Sequence, residues 1–324
     1  MRTVTFLDTS VASTNLGDEI IMEAARRHLD KLFSDAFIYR VATHEWMGDK
    51  SRALLKQSQA AISCGTHLLS SRMWVKPPWK VSPIDAISDL EVTLLGAGWG
   101  QHQSSADWYT RWLLKHMLSS EFIHSVRDDY SLQQLKQAGI TQVLNTACPT
   151  MWELTPEHCA LIPVEKGEVV VTTVNTALQN AELDKQMLLI LKQHYQEVFF
   201  WVQTEGDLLY AKELAGSLSL ELRILNPCVA AYDNILLSWP RIDYVGNRLQ
   251  AGIRAMQFQR RSIIVEVDSC VQEMGKDFGL PTVERDKPEK LSALVSADWA
   301  TRLTLPFDRI EQWQQQFRLP AETG

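Results

Sequence analysis

The sequence predicts an α/β protein built from two Rossmann-like domains that face each other across a central cleft. Short β-rich runs alternate with longer amphipathic ones, which is the pattern of βα units and parallel sheets. The alternation breaks once, at the three-proline stretch CPTMWELTPEHCALIPVEKGE (148–168). A chain of 324 residues also fits two domains of ordinary size better than one core. The expected division is 1–155 for the first domain, 166–300 for the second, and 301–324 for a C-terminal helix that crosses back onto the first.

Strands are expected at 4–8, 37–43, 60–64, 91–96, 122–126 and 142–146 in the first half. Helices are expected at 18–33, 107–118 and 130–139, the last closed by Gly139. The second half restarts with strands at 168–174, 197–204, 222–226, 242–246 and 262–268, separated by helices. FDRIEQWQQQFRL (307–319) reads as an amphipathic helix. No short internal repeat is present, which argues against solenoids and propellers.

Hydrophobic residues make up 45% and charged residues 22%, the profile of a globular protein. The formal charge of −7 argues against nucleic acid as a partner, since that needs a positive surface to displace counterions. No apolar run reaches the roughly 20 residues that span a bilayer, and MRTVTFLD lacks the marks of a signal peptide, so a cytoplasmic protein is expected. The five cysteines are scattered, with no CxxC pair, and read as reduced thiols. None of the eight histidines lies in an HxxxH or HExxH spacing, so no metal site is expected.

In parallel α/β sheets ligands bind outside the carboxyl ends of the strands, where helix N-termini expose unpaired N–H groups. After the first strand, DTSVASTNLGDEI offers Asn15, Gly17 and Asp18, read either as a substrate contact or as a plain capping turn. CGTHLL and LLGAGWGQH place glycines after buried strands and carry His67 and His102, candidate acids or bases beside the commoner reading of solvated loop histidines. GAGWG is not GxGxxG, so no dinucleotide cofactor is expected.

SVRDDYS puts Arg127 in a strand-to-helix turn, where it either holds a carboxylate or phosphate or shapes the turn by pairing with Asp128 or Asp129. GNRLQAGIRA repeats the device with Gly246, Asn247 and Arg248. There Arg248 is read in the first turn of a helix, against the macrodipole, with an anionic ligand or Asp243 or Asp268 as its counter-charge. SSRMWVKPPWKVSP (70–83) interleaves Arg72, Lys76 and Lys80 with Trp74 and Trp79. Exposed, these tryptophans would stack on sugar rings or dip into a lipid headgroup region; buried, the segment is a wrapped loop.

Taken in order, NLGDEIIMEAARRHL, CGT, LLGAGWG, SVRDDYSLQQLKQAGI with CPTMWEL, WVQTEGD and YVGNRLQAGIRAMQ followed by SIIVEVD resemble the polysaccharide pyruvyl transferase family over nearly the whole chain. The resemblance implies a GT-B-like fold, phosphoenolpyruvate as donor substrate, and a glycan acceptor, lipid-linked or nucleotide-linked. It implies transfer of a pyruvyl group to two sugar hydroxyls as a ketal during surface polysaccharide assembly; a peripheral place at the inner face of the cell membrane is a separate expectation for the cytoplasmic protein. Arg127, Arg248, Gly246 and Asn247 then become donor-binding residues, and Asn15, Gly17, Asp18, Trp74 and Trp79 acceptor-binding ones.

The sequence departs from the family at Gln250, where members typically carry a histidine that serves as a candidate general acid. Glutamine donates a hydrogen bond and delivers no proton at neutral pH. His67, His102 and Glu266 are the expected substitutes. A glycosyltransferase using a nucleotide sugar, or a catalytically silent glycan-binding relative, are the alternative expectations.

Overall fold

A computed structural model describes residues 2–75 and 77–318, so Lys76 and Leu319 fall outside the described residues. The chain divides into two compact units. Unit 1 comprises Met1–Ser13, Ile21–Trp152 and Leu305–Gly324; unit 2 comprises Thr14–Ile20 and Glu153–Thr304.

Unit 1 strands are β1 (Arg2–Asp8), β2 (Ala36–Ala42), β3 (Ala60–Leu69), β4 (Thr93–Trp99), β5 (His124–Val126) and β6 (Val143–Asn145). The helices that accompany them are α1 (Leu16–Leu32), whose residues up to Ile20 belong to unit 2, α2 (Asp49–Gln57), α3 (Pro83–Ala86), α4 (Trp108–Met117) and α5 (Asp129–Ala138). A short α6 (Pro156–Cys159) opens unit 2. The unit 2 strands are β7 (Val169–Thr172), β8 (Glu197–Trp201), β9 (Arg223–Leu225), β10 (Ile242–Gly246), β11 (Ser262–Glu266) and β12 (Thr282–Glu284). Its further helices are α7 (Ala181–His194), α8 (Glu205–Ser217), α9 (Val229–Ser238), α10 (Leu249–Gln257), α11 (Ser269–Phe278) and α12 (Pro288–Ser296). The last helix, α13 (Phe307–Gln315), belongs to unit 1.

Both sheets are parallel and six-stranded. The first runs β2-β1-β3-β4-β5-β6 and the second β12-β11-β10-β7-β8-β9. The α/β class expected from alternation is thus realised twice. In a doubly wound sheet the crevice lies where the strand order reverses. That point falls between β1 and β3 in unit 1 and between β7 and β10 in unit 2.

Parallel strands covered on both faces are apolar on both. In unit 1 Val4, Phe6, Ile62, Cys64 and Leu95 join one cluster with Met22, Ala25 and Leu29 of α1 and with Ile310, Trp313 and Phe317. Their neighbours Leu7, Ala61 and Leu94 join the opposite cluster with Leu113 and Leu114 of α4 and Leu135 of α5. The core of unit 2 gathers Val170, Val198, Phe200, Val245, Ile263 and Val265 with α7.

Strands β3 and β4 continue through the positions expected to be loops, reaching Leu69 and Trp99. Gly65 makes this possible. A Cβ there would lie 2.6 Å from the Gly96 carbonyl oxygen of the neighbouring strand. Three-residue β12 was not expected, because TVE at the sheet edge is too short to show a period.

The imidazole of His124, in β5, is fully buried. Its Nδ1 accepts the Leu94 N–H at 3.2 Å and its Nε2–H donates to the Ser119 carbonyl at 3.0 Å. Burial pushes its pKa down to about 4, against the opposing pull of the Ser119 carbonyl. A histidine depressed when folded supports the fold above its unfolded pKa and loses that support as pH falls through the folded value. Stability should therefore drop between about pH 6.5 and about pH 4, by ~3 kcal/mol from this group. Denaturant unfolding across that range should show the drop, and His124→Gln, which does not titrate, should flatten it.

Candidate functional site

Of the unit 1 residues foreseen in the sequence, His67 lies on extended strand, while His102, Arg127, Trp74 and Trp79 lie in the connections. His67 of β3 stands in register with Gly98 of β4. A Cβ on Gly98 would lie 2.2 Å from the Arg127 Cζ, so glycine is what lets the guanidinium lie flat against that strand. Arg127 is buried, and its Nε is 3.4 Å from the Asp128 carboxylate. Asp128 also caps α5 by accepting the Ser131 N–H at 2.6 Å. The structure thus includes the turn-shaping pair that was one of the two readings of Arg127.

The positive charge of Arg127, with a smaller desolvation contribution from crowding around a side chain that is itself solvent-exposed, holds the His67 pKa well below the ordinary imidazole value. His67 is therefore neutral at neutral pH, a proton acceptor rather than a donor. His102 is exposed and meets the Tyr130 ring edge-on, with centroids 4.7 Å apart.

The tryptophan loop divides. Trp74 is 62% exposed, with its Nε1–H donating to Asp107 at 2.6 Å. Trp79 is 0% exposed and belongs to the core cluster under β3 and β4, so it offers no ligand platform. This corrects the expectation of two exposed rings. The spacing of aromatics and prolines marked a stiff loop without distinguishing which ring faces inward.

In unit 2 the reversal between β7 and β10 brings Thr172–Asn175 beside Gly246–Arg248. Gly246 is required there: a Cβ would lie 2.7 Å from the Thr173 Oγ1 and 2.8 Å from the Thr173 backbone nitrogen. The Tyr244 hydroxyl fastens the turn that follows its own strand. It accepts the Arg248 N–H at 3.1 Å, donates to the Arg248 carbonyl at 2.8 Å, and lies 2.7 Å from the Thr173 Oγ1. Burial raises its pKa above the usual phenol range, so the hydroxyl keeps its proton.

Arg248 is the N-cap of α10 rather than a residue of its first turn. Its Nε donates to the Val174 carbonyl at 3.1 Å. Its Nη2 donates to both Asp207 oxygens, at 2.7 and 2.8 Å, and lies 3.2 Å from the Thr204 Oγ1. The counter-charge is therefore Asp207, and neither Asp243 nor Asp268. Asp243 is bound to Arg261 and Tyr195, and Asp268 caps α11. Nη1 makes no hydrogen bond among the described residues, which leaves it as the donor available to a ligand.

Asp207, the last residue of WVQTEGD, is the partner of Arg248 that the sequence did not single out. Fully buried, it accepts from the Thr204 N–H at 3.0 Å, the Thr176 N–H at 3.2 Å and the Thr176 hydroxyl, besides Arg248. One carboxylate thereby ties together the loops after β7, β8 and β10. The signal for it was the capping box Thr204-Glu205-Gly206-Asp207 at the start of α8.

Asn247 is buried, and its Nδ2 lies 3.5 Å from Asp184, which also receives Arg285 bidentately and the Tyr210 hydroxyl. Gln250 is buried in the first turn of α10. Glu266, at the end of β11, accepts the Thr282 hydroxyl at 2.7 Å. Asn15, Gly17 and Asp18 fall in unit 2 rather than in the expected first domain. The Gln203 amide donates to Asn15 Oδ1 at 2.8 Å, and the Leu16 N–H donates to the Gln203 carbonyl at 3.1 Å. This stretch is therefore anchored at the carboxyl end of β8.

Among the described residues no three His, Cys, Asp or Glu side chains gather in a way that would hold a metal ion. Nor is any described helix long and apolar enough to cross a membrane.

Two doubly wound parallel units, with a guanidinium and a glycine turn at the reversal point of the second, make this an α/β protein of two Rossmann-like units. A crystal structure of UDP-N-acetylglucosamine 2-epimerase shares this fold at 10% identity, with a TM-score of 0.50 over 97% of this chain and 90% of that one. A glycosyltransferase from Rickettsia africae aligns at 10% identity and a TM-score of 0.44, over 98% of this chain and 92% of that one. No curated protein matches the sequence. The polysaccharide pyruvyl transferase family model matches residues 15–269, and the chain belongs to that family. It is a transferase of polysaccharide biosynthesis, with a sugar or glycan among its substrates.

Proposed function

We propose that the protein transfers a pyruvyl group from phosphoenolpyruvate to two hydroxyls of a sugar, forming a cyclic ketal. The observation that supports this reading most is Arg248 at the reversal point of the second sheet, with Nη1 left to meet a phosphate or carboxylate. Gly246 and Asn247 complete that turn on the donor side. In the reaction the methylene carbon of phosphoenolpyruvate gains a proton and becomes the methyl group. The neighbouring carbon becomes an oxocarbenium-like centre, takes two sugar oxygens and releases inorganic phosphate. The two hydroxyl protons balance the one gained by carbon and the one leaving with phosphate.

Gln250 cannot supply the first proton. His102 and Glu266 are the remaining donors among the candidates, while neutral His67 suits removal of a hydroxyl proton. A cytoplasmic reaction at the inner face of the membrane, where lipid-linked acceptors lie, belongs to the same reading.

A second reading has a specific observation behind it. The charge of Arg248 is already matched by Asp207, and the residue two positions on is glutamine, an arrangement that also suits the diphosphate of a nucleotide sugar. Phosphate release from phosphoenolpyruvate across a panel of glycolipids, with thermal shifts run in parallel, separates the two. Release above background is expected. Absence of release, together with stabilisation by UDP, GDP or CMP and none by phosphoenolpyruvate, would transfer the assignment to glycosyl transfer. No release and no stabilisation by any of them would leave a glycan-binding relative.

A further inference from the structure

Because β3 and β4 run on to Leu69 and Trp99, the loops at the carboxyl end of the first sheet are 70–75 and 100–104. Between them lies a concavity of about 550 Å³, lined by Ser70, Ser71, Arg72, Val75, Gln103 and Ser104. It stands where parallel sheets present ligands. Hydroxyls, an amide and a guanidinium face it, together with Val75 and the apolar carbons of the same side chains.

Its walls are cross-tied. The Ser71 N–H donates to Gln103 Oε1 at 2.7 Å, and the Ser71 hydroxyl bonds the Ser104 carbonyl. The Gly100 N–H donates to the Leu69 carbonyl at 2.8 Å, and the Tyr130 hydroxyl accepts the Gln103 N–H at 2.8 Å. With Gln103 Oε1 occupied, its amide NH₂ is the group left to present. The Arg72 side chain is exposed and makes no hydrogen bond or ion pair among the described residues, although its carbonyl accepts the Val75 N–H at 3.2 Å. Asp107, whose charge Arg72 feels, is committed to the Trp74 Nε1–H at 2.6 Å and the Thr110 N–H at 2.8 Å.

Trp74 lies between the lining residues Arg72 and Val75, and the bond to Asp107 fixes its exposed ring. A held aromatic ring, next in sequence to the lining of a preformed hollow that mixes polar groups with apolar surface, is what a pyranose needs: its C–H face meets ring and apolar surface while hydroxyls and amides take its oxygens. The unpaired guanidinium adds a preference for negative charge. We propose that this hollow is the acceptor subsite and takes a saccharide that carries a carboxylate or phosphate. The inference rests on the proposed reaction only in that the acceptor is a sugar.

Calorimetric titration of the full chain tests it, using a uronate-containing oligosaccharide, its neutral counterpart and a nucleoside-diphosphate sugar. Binding of at least one anionic saccharide is expected, about tenfold weaker in Trp74→Ala and in Arg72→Ala, since an aromatic or arginine anchor typically contributes that much. Trp74→Phe should restore most of the affinity, because it keeps the ring and loses only the N–H. Whichever anionic ligand binds identifies the source of the charge. Unchanged affinity in both alanine variants, equal affinity for the neutral saccharide, or no binding of any of the three would overturn the inference. Failure of phosphate release alone would sink pyruvyl transfer and leave the saccharide subsite standing.

Discussion

Arg248→Ala is expected to lower stability by about 3–5 kcal/mol, before any effect on chemistry, because it leaves the charge of a buried carboxylate without its partner. The Arg248 side chain is 11% exposed and that of Asp207 is 0% exposed. Denaturant unfolding should show the loss, and Arg248→Ala combined with Asp207→Asn should recover more than half of it by removing the stranded charge. An unfolding curve identical to that of the unsubstituted protein would mean that the pair adds nothing. An inactive alanine variant therefore says little about donor binding by itself. Arg248→Lys is the sharper probe: its ammonium can still meet Asp207 but lacks the planar fork that serves two partners at once. Donor affinity should fall about tenfold or more in the lysine variant, with stability largely kept.

Gly246→Ala should be nearly as severe. The new methyl would meet the Thr173 nitrogen at 2.8 Å and the Tyr244 hydroxyl at 2.8 Å, and the Thr173 backbone, directly after β7 and accepting the Asn247 N–H, has little freedom to step aside. Separating β7 from β10 costs about 1–3 kcal/mol on the usual scale of overpacking. Activity should fall further than stability, because the hydroxyl displaced is the one that fastens the Arg248 turn. Gly216→Ala is the control. In α8, with nothing within 4 Å of the added Cβ, it should stabilise by about 0.5–1 kcal/mol. A Gly246→Ala protein with normal melting and normal turnover would refute the close-packed reversal point.

Legibility followed the range of the interaction. Alternating apolar runs are local, and both sheets were read from them except for β12, whose three residues hold no period. The Arg248 turn was legible because a strand, a glycine and a helix start lie within seven residues of one another. Its counter-charge was not, since Asp207 sits 41 residues away in sequence and only the folded β8–α8 loop brings it close. Trp74 and Trp79 show the same limit. Their surroundings in sequence are alike, yet one ring closes a core and the other faces water. The glycines at 65, 96 and 98 signalled close approach, but of strand to strand, of the Pro149 ring and of Arg127 to backbone rather than of ligand to loop.

Helix α13 places Ile310 and Trp313 in the same cluster as Val4 and Phe6, at the opposite end of the chain. The hydrophobic core of unit 1 is thus closed by residues that leave the ribosome after every residue of unit 2. During synthesis unit 2 can complete its core while the first sheet still waits, with one apolar face uncovered, for the last helix to arrive. The order of assembly is then the reverse of the order in which the two units begin, and nascent chains stopped near residue 304 would be the ones that chaperones must shield.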